Sequence, residues 1–246
     1  MPDLHLLGTG AALADGDRTT TMLAFEGRSV IVVDCGGDVV QRLLAVGIDL
    51  DRIAALIVTH EHPDHVSGFP LFMEKIWLAQ RQRPIPVCGP KPAIDQARRI
   101  FDAFDTRSWK DLPPIEWVEV PLEAGAAVWS DDEWQFTAAP GIHSVPVVGL
   151  RVEHEEGGSV AYSSDTERSE AIVDLARDVD LLVHEGTGDV KGHISPAGAA
   201  GVARDAGTKQ LVLVHLPPGF SEDDLRSARE VFEATVVGKD GDRYPF

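Results

Sequence analysis

The chain has only two cysteines, Cys35 and Cys88, among its 246 residues. No disulfide framework holds it together, and a reducing cytoplasm is the expected setting. There is no run of about 18 apolar residues, the shortest that suggests a helix across a bilayer, so no membrane partner is expected. The opening Met-Pro-Asp-Leu-His-Leu-Leu-Gly lacks the basic and apolar regions of a secretory signal, and none is expected. Positive charge is scarce as well. Lys and Arg number 22 against 40 Asp and Glu, a formal net charge of −18. Nucleic-acid binding draws its affinity from Lys and Arg neutralising phosphates, and a broadly acidic surface opposes it. No Ser/Gly/Pro-rich linker, low-complexity run or fixed-period repeat divides the chain. What remains is ordinary globular material, 43% hydrophobic and 25% charged. One domain over residues 1–246 is the expectation at this length.

Short β-branched and apolar runs alternate with turn residues. Leu4–Leu7 reads as a strand ending in Gly8-Thr9-Gly10, and Met22–Phe25 with Ser29–Val33 as a hairpin. Asp38 reads as the cap of a helix that Gly47 ends. Ile53–Val58 is a buried strand leading into a histidine-rich loop. Helices are expected over Phe69–Gln80 and Pro92–Phe104, with a strand at Pro84–Cys88. Several short strands fill the stretch from Ile115 to Ala139. Gly149–His154 and Ser159–Tyr162 flank the tight turn Glu155-Glu156-Gly157-Gly158. Thereafter helix and strand alternate: Arg168–Ala176, Leu181–His184, Pro196–Ala206 capped by Ser195, Leu211–His215, and Glu222–Glu233. Two successive halves, each with strands beside helices, predict an α/β fold: two packed sheets with helices outside, a four-layer αββα sandwich.

The chemistry concentrates in Thr59-His60-Glu61-His62-Pro63-Asp64-His65-Val66-Ser67-Gly68. His60 and His62 project to the same side of an extended loop because side chains alternate with period two. Asp64 and His65 lie past the turn, where they can face a second ion. Imidazoles and a carboxylate on a rigid strand end suit zinc, with manganese or iron as the other candidates.

This segment resembles the HxHxDH motif of the metallo-β-lactamase superfamily, whose members share the αββα sandwich. Later positions follow in the family's order: His143 in Gly141-Ile142-His143-Ser144, Asp165 in Ser164-Asp165-Thr166, and His215 after Leu211–Val214. The resemblance implies two divalent ions. One would sit on His60, His62, His143 and Asp165, the other on Asp64, His65, Asp165 and His215, with Asp165 bridging. Within the superfamily the chain is most similar to the ribonuclease Z-like branch. The carrying residues are Leu7-Gly8-Thr9-Gly10, Asp34-Cys35-Gly36, Tyr162-Ser163-Ser164-Asp165-Thr166 with Ser for Gly, His184-Glu185-Gly186-Thr187 and Gly192-His193-Ile194-Ser195. By that resemblance His193 and Glu185 assist phosphodiester cleavage, and Asp34 orients a ligating imidazole from behind. Asp64, His193 and Glu185 are therefore the candidate catalytic residues.

The expected activity is hydrolysis of a phosphodiester by a metal-bridging hydroxide. The substrate would be a small phosphodiester, a cyclic nucleotide or a short RNA. Ribonuclease Z proteins carry a long arm that grips tRNA, and the interval Gly149–Ala161 is too short and too acidic for one. His215-Leu216-Pro217-Pro218-Gly219 also replaces the family's polar ending. Precursor tRNA is thus not the expected substrate. Other readings on the same fold are a carboxyl-ester or lactone hydrolase, a mononuclear iron persulfide dioxygenase, and a non-catalytic metal-binding module. A homodimer is compatible with the sequence.

Overall fold

The computed structural model describes residues 1–246. Its strands form two seven-stranded sheets. The first contains β1 (Asp3–Gly8), β2 (Met22–Glu26), β3 (Val30–Val33), β4 (Ile53–Ile57), β5 (Ile85–Gly89) and β6 (Ile115–Glu119), with β14 (Arg243–Pro245) pairing antiparallel to β1. The second runs in the order β13 (Thr235–Val237), β12 (Gln210–Val214), β11 (Leu181–Glu185), β10 (Ser159–Tyr162), β9 (Val148–His154), β8 (Trp134–Pro140) and β7 (Ala126–Ser130).

Alternation along each strand builds the layers. In β3, Ile31 and Val33 enter the core between the sheets, whereas Val30 and Val32 face the helices. The 23-residue core between the sheets is aromatic at its heart, where Phe25 meets Phe136 edge-on at 5.3 Å. A cluster of 24 residues packs the first sheet against α1 (Val39–Ala45), α3 (Phe69–Leu78) and α4 (Lys91–Asp102). A cluster of 18 packs the second sheet against α5 (Glu170–Leu175), α6 (Pro196–Ala206) and α7 (Glu222–Val231). The last is rich in alanine, which lets α6 lie close on the sheet. Three apolar clusters between four layers make the expected αββα sandwich.

Several boundaries differ from the sequence reading for local reasons. Ser169 is extended (φ −126°, ψ 127°), so α5 begins at Glu170 rather than Arg168. Gln80 has φ 63°, beyond the end of α3 at Leu78. The edge strands β13 and β14 have three residues each, too few to show a period. Asp64 and His65 lie in helix past the turn, as the sequence suggests, but in a separate one-turn helix, α2 (Pro63–Val66), ahead of α3. The β9–β10 connection is a tight turn through Gly157 (φ 90°) and Gly158 (φ 92°), leaving no arm at this position.

The carboxyl ends of β4, β8, β10, β11 and β12 gather at one edge of the sandwich, the usual place for a site in such folds.

Candidate metal centre

The expected metal ligands reach that edge by four routes. β4 delivers Thr59 and His60. Pro63 then starts α2, whose single turn swings Asp64 and His65 inward, with His62 at the cap position. The close approach this requires is made by glycine: a Cβ on Gly36 would lie 1.6 Å from the Asp64 carbonyl oxygen, and one on Gly68 2.4 Å from that of Cys35. His143 follows β8, Asp165 follows β10 and His215 follows β12. Three residues here hold left-handed backbone that is costly for any residue but glycine: Asp34 (φ 61°), Ser164 (φ 52°) and His215 (φ 53°).

Side-chain donors form two groups that share Asp165. His60, His62, His143 and Asp165 make one, and Asp64, His65, Asp165 and His215 the other, with donor atoms within 4.8 Å of one another in each. His215 Nε2 lies 3.3 Å from Asp64 Oδ2 and 3.4 Å from Asp165 Oδ2. His65 Nε2 lies 3.5 Å from Asp64 Oδ2 and 3.6 Å from Asp165 Oδ1. His60 and His143 Nε2 stand 3.8 and 3.9 Å from Asp165 Oδ2. Donors ~2.0–2.1 Å from a tetrahedral ion stand ~3.3–3.4 Å apart, so these are spacings around a cation more than hydrogen bonds. Moreover, His60 Nε2, His65 Nε2 and Asp165 Oδ1 are buried without any hydrogen-bond partner. A buried polar atom without a partner carries an unrelieved desolvation cost, which a divalent cation at these points would remove. The donor set fits the metal.

Outer partners fix the imidazoles so that Nε2 faces inward. His65 Nδ1 meets Asp34 Oδ2 at 2.8 Å, His215 Nδ1 meets Thr187 Oγ1 at 2.7 Å, and His143 Nδ1 donates to the Gly192 carbonyl at 2.7 Å. Such contacts hold a ligand's tautomer and its direction. The sequence points to Asp34 but not to Thr187 or the Gly192 carbonyl in these roles. Thr187 lies inside His184-Glu185-Gly186-Thr187, while a backbone carbonyl leaves no residue-type signal.

The electrostatics agree with cation binding. Burial, then the nearby His65, pushes His60 well below the usual histidine range. Burial would raise Asp165, but the charges of His215 and His65 outweigh it and hold the carboxyl well below its usual range. Asp64 is lowered too: burial opposes ionisation, but the His215 hydrogen bond and His65 prevail. For His65, burial is outweighed by Asp165 and Asp34, and the ring's proton affinity rises strongly. That affinity marks where positive charge is wanted.

Alternation along β11 decides the remaining pair. Val183 faces the core between the sheets, and so does Glu185, whereas His184 lies on the other face. Glu185 is fully buried. Its Oε1 accepts from the Thr166 amide at 3.0 Å and from His193 Nδ1 at 2.9 Å, and its Oε2 from the Thr187 amide at 3.0 Å. His193 stacks on His215 at 5.6 Å and stands edge-on to His143 at 4.9 Å. Its side chain keeps 19% exposure at the rim of the cluster. The turn before it is anchored by Glu167, whose Oε1 accepts from the Gly192 amide at 2.8 Å. Nothing in the sequence singled out Glu167.

Two sheets meeting over a shared carboxylate, with donors for divalent cations on both sides, define a metal-dependent hydrolase of the metallo-β-lactamase fold. Residues 29–216 match the family described as the beta-lactamase superfamily domain, and the chain belongs to that superfamily, in its ribonuclease Z-like branch of phosphodiesterases. A ribonuclease Z from Mycolicibacterium gilvum is 32% identical, covering 92% of this chain and 89% of its own. Human tRNase Z, short form, superposes with a TM-score of 0.80 at 23% identity, covering 99% of this chain and 98% of its own. A diphosphatase from the PhnP family reaches 0.78 at 19% identity, covering 100% and 98%. At those identities the two structures speak to the fold alone.

Proposed function

We propose that the protein hydrolyses a small phosphodiester, a cyclic nucleotide or a short RNA, using two divalent ions, zinc by preference. His60, His62, His143 and Asp165 would hold one ion, and Asp64, His65, Asp165 and His215 the other. When bound, two such ions lower the pKa of a water towards neutrality and screen the charge that develops on phosphorus. The protein's own residues do the rest. Asp34, Thr187 and the Gly192 carbonyl keep the imidazoles aimed. His193, at the rim, protonates the departing alkoxide. Glu185 accepts from its Nδ1, which leaves Nε2 as the proton donor and stabilises the imidazolium. Burial lowers the affinity of His193 for that proton, but the Glu185 hydrogen bond and charge outweigh it, so its pKa is raised.

The single observation that carries this reading is the His193–Glu185 pair, 2.9 Å apart beside both donor groups. An alkyl phosphodiester needs a proton on its leaving group, and this pair is built to give one. The second four-donor group argues against a mononuclear iron oxygenase. The tight β9–β10 turn and the charge of −18 favour a small substrate over precursor tRNA. The test is one screen of metal-quantified protein against bis(p-nitrophenyl) phosphate, a carboxyl ester, a lactone and a precursor tRNA. Turnover of the diester well above the other three is expected. Preferential ester or lactone turnover would replace the phosphodiesterase reading, and efficient tRNA trimming at physiological salt would overturn the substrate class.

A further inference from the structure

Ser164 occupies a place that its backbone makes better suited to glycine. It has φ 52°, it is fully buried, and it immediately precedes the shared carboxylate Asp165. A side chain in such a conformation persists when its surroundings over-determine it, and strain of this kind gathers at functional sites. The surroundings here are specific. Ser164 Oγ donates to Thr59 Oγ1 at 2.8 Å, crossing from the second sheet to the first. Thr59 Oγ1 donates in turn to Asp34 Oδ2 at 2.9 Å, and Asp34 Oδ2 accepts from His65 Nδ1 at 2.8 Å. Thr59 Oγ1 also lies 3.2 Å from His60 Nδ1.

One assignment of hydrogens and lone pairs satisfies all of these contacts. A hydroxyl has one proton and two acceptor positions. The Thr59 proton goes to Asp34, and its two lone pairs take Ser164 Oγ–H and His60 Nδ1–H. Both His60 and His65 are thereby fixed as Nδ1–H tautomers with bare Nε2 atoms, the two imidazole nitrogens left without partners in the site. Its neighbour closes the other side of the turn. Ser163 Oγ donates to the Ser164 carbonyl at 2.7 Å and accepts from the Glu185 amide at 3.1 Å.

We propose that Ser164 is a positioning residue: through Thr59 it couples His60 of one ion group to His65 of the other, setting both as acceptors for cations. This rests on the metal-site reading given above. In the ribonuclease Z-like pattern the position is glycine, which satisfies the backbone but donates nothing. In this chain the hydroxyl is kept at the expense of backbone ease.

The test compares zinc dissociation constants by chelator competition, cobalt(II) visible spectra and apo-protein melting for wild type, Ser164→Gly, Thr59→Val, Thr59→Ser and the double variant Ser164→Gly/Thr59→Val. Zinc uptake by wild type tests the metal reading itself, and the variants test the role of Ser164. Ser164→Gly is expected to melt no lower than wild type as apo-protein, because glycine suits the backbone. It should nonetheless bind zinc about 10–100-fold more weakly, the range for loss of an outer partner, with an altered cobalt spectrum. Thr59→Ser should behave as wild type, and the double variant should bind no more weakly than Thr59→Val alone. Unchanged affinity and spectrum in Ser164→Gly, or additive losses in the double variant, would overturn the proposal. Thr59→Val keeps the test open should Ser164→Gly fail to fold, since its zinc affinity unchanged from wild type would also overturn it.

Discussion

The two ends of the sandwich both set histidines beside carboxylates, yet they treat them differently. At the end remote from the metal centre, His154 Nε2 lies 3.2 Å from Glu133 Oε1, and His5 Nε2 lies 2.7 Å from Glu26 Oε2. Glu133 also accepts from the amides of Arg28 and Ser29. These carboxylates close their hydrogen bonds within the chain and serve stability. At the other end, the inward atoms of His60, His65 and Asp165 have no partner, and their neighbours stand 3.6 Å or more from them in the pairs they form with one another. His154 and Glu133 are satisfied within the chain, whereas three inward atoms are left open together around Asp165. A convergence of open donor atoms, not composition, distinguishes the site.

Substitutions at each end should therefore separate binding from stability. The largest effect is expected at Asp165. Asp165→Ala should strip ions from both groups and depress turnover by more than the about 10–100-fold typical of an outer partner, as followed by elemental analysis and diester assay. Full ion content in this variant would remove the shared carboxylate from the account. Next comes His193→Ala. Turnover of an alkyl phosphodiester should fall roughly 10²–10⁴-fold, while an activated nitrophenyl diester, whose leaving group departs without a proton, loses far less. Ion content should not change. Equal losses on both substrates would make His193 a binding residue instead. The smallest effect belongs to the remote end, where Glu133→Gln should cost about 1–3 kcal/mol of stability and leave ions and turnover alone.

That last difference carries a pH signature. Burial would raise Glu133, but hydrogen bonds from the Arg28 and Ser29 amides and from His154 outweigh it and lower its pKa. A carboxylate lowered in the folded state contributes fully above its unfolded value, about 4.3, and loses that contribution as pH falls through the native value. The gap between wild type and Glu133→Gln should hold steady at neutral pH and close below about pH 4.3, measured by denaturant melts. A gap that widens on acidification would mean that the charge is not what stabilises this end.

How much of this was legible depended on whether neighbours in space are neighbours in sequence. His60, His62, Asp64 and His65 sit in one short loop, so their spacing alone announced a cation site. His143, Asp165 and His215 each stand alone at a strand end, and only resemblance to an ordered family pattern selected them. The fold was legible because β-branched runs and capping residues repeat along both halves. Three-residue strands such as Thr235–Val237 carry no period, and the single turn at Pro63 is shorter than any helical pattern. Partners that act through backbone, such as the Gly192 carbonyl on His143, have no side-chain signature. Ser164 was visible as a departure from glycine, but its hydrogen bond to Thr59 belongs to the packing of two sheets and required the structure.

Whether the two donor groups hold metal is decided by the number of ions bound per chain, read together with melting before and after chelation. About two divalent ions are expected, with loss of diesterase activity on their removal. The stripped protein should also melt at a lower temperature, since a ligand present at about 1,000 times its Kd adds about 4 kcal/mol to the folded state. Restoring zinc should recover both. A single iron per chain with no diesterase activity on reconstitution, or melting indifferent to chelation, would contradict it.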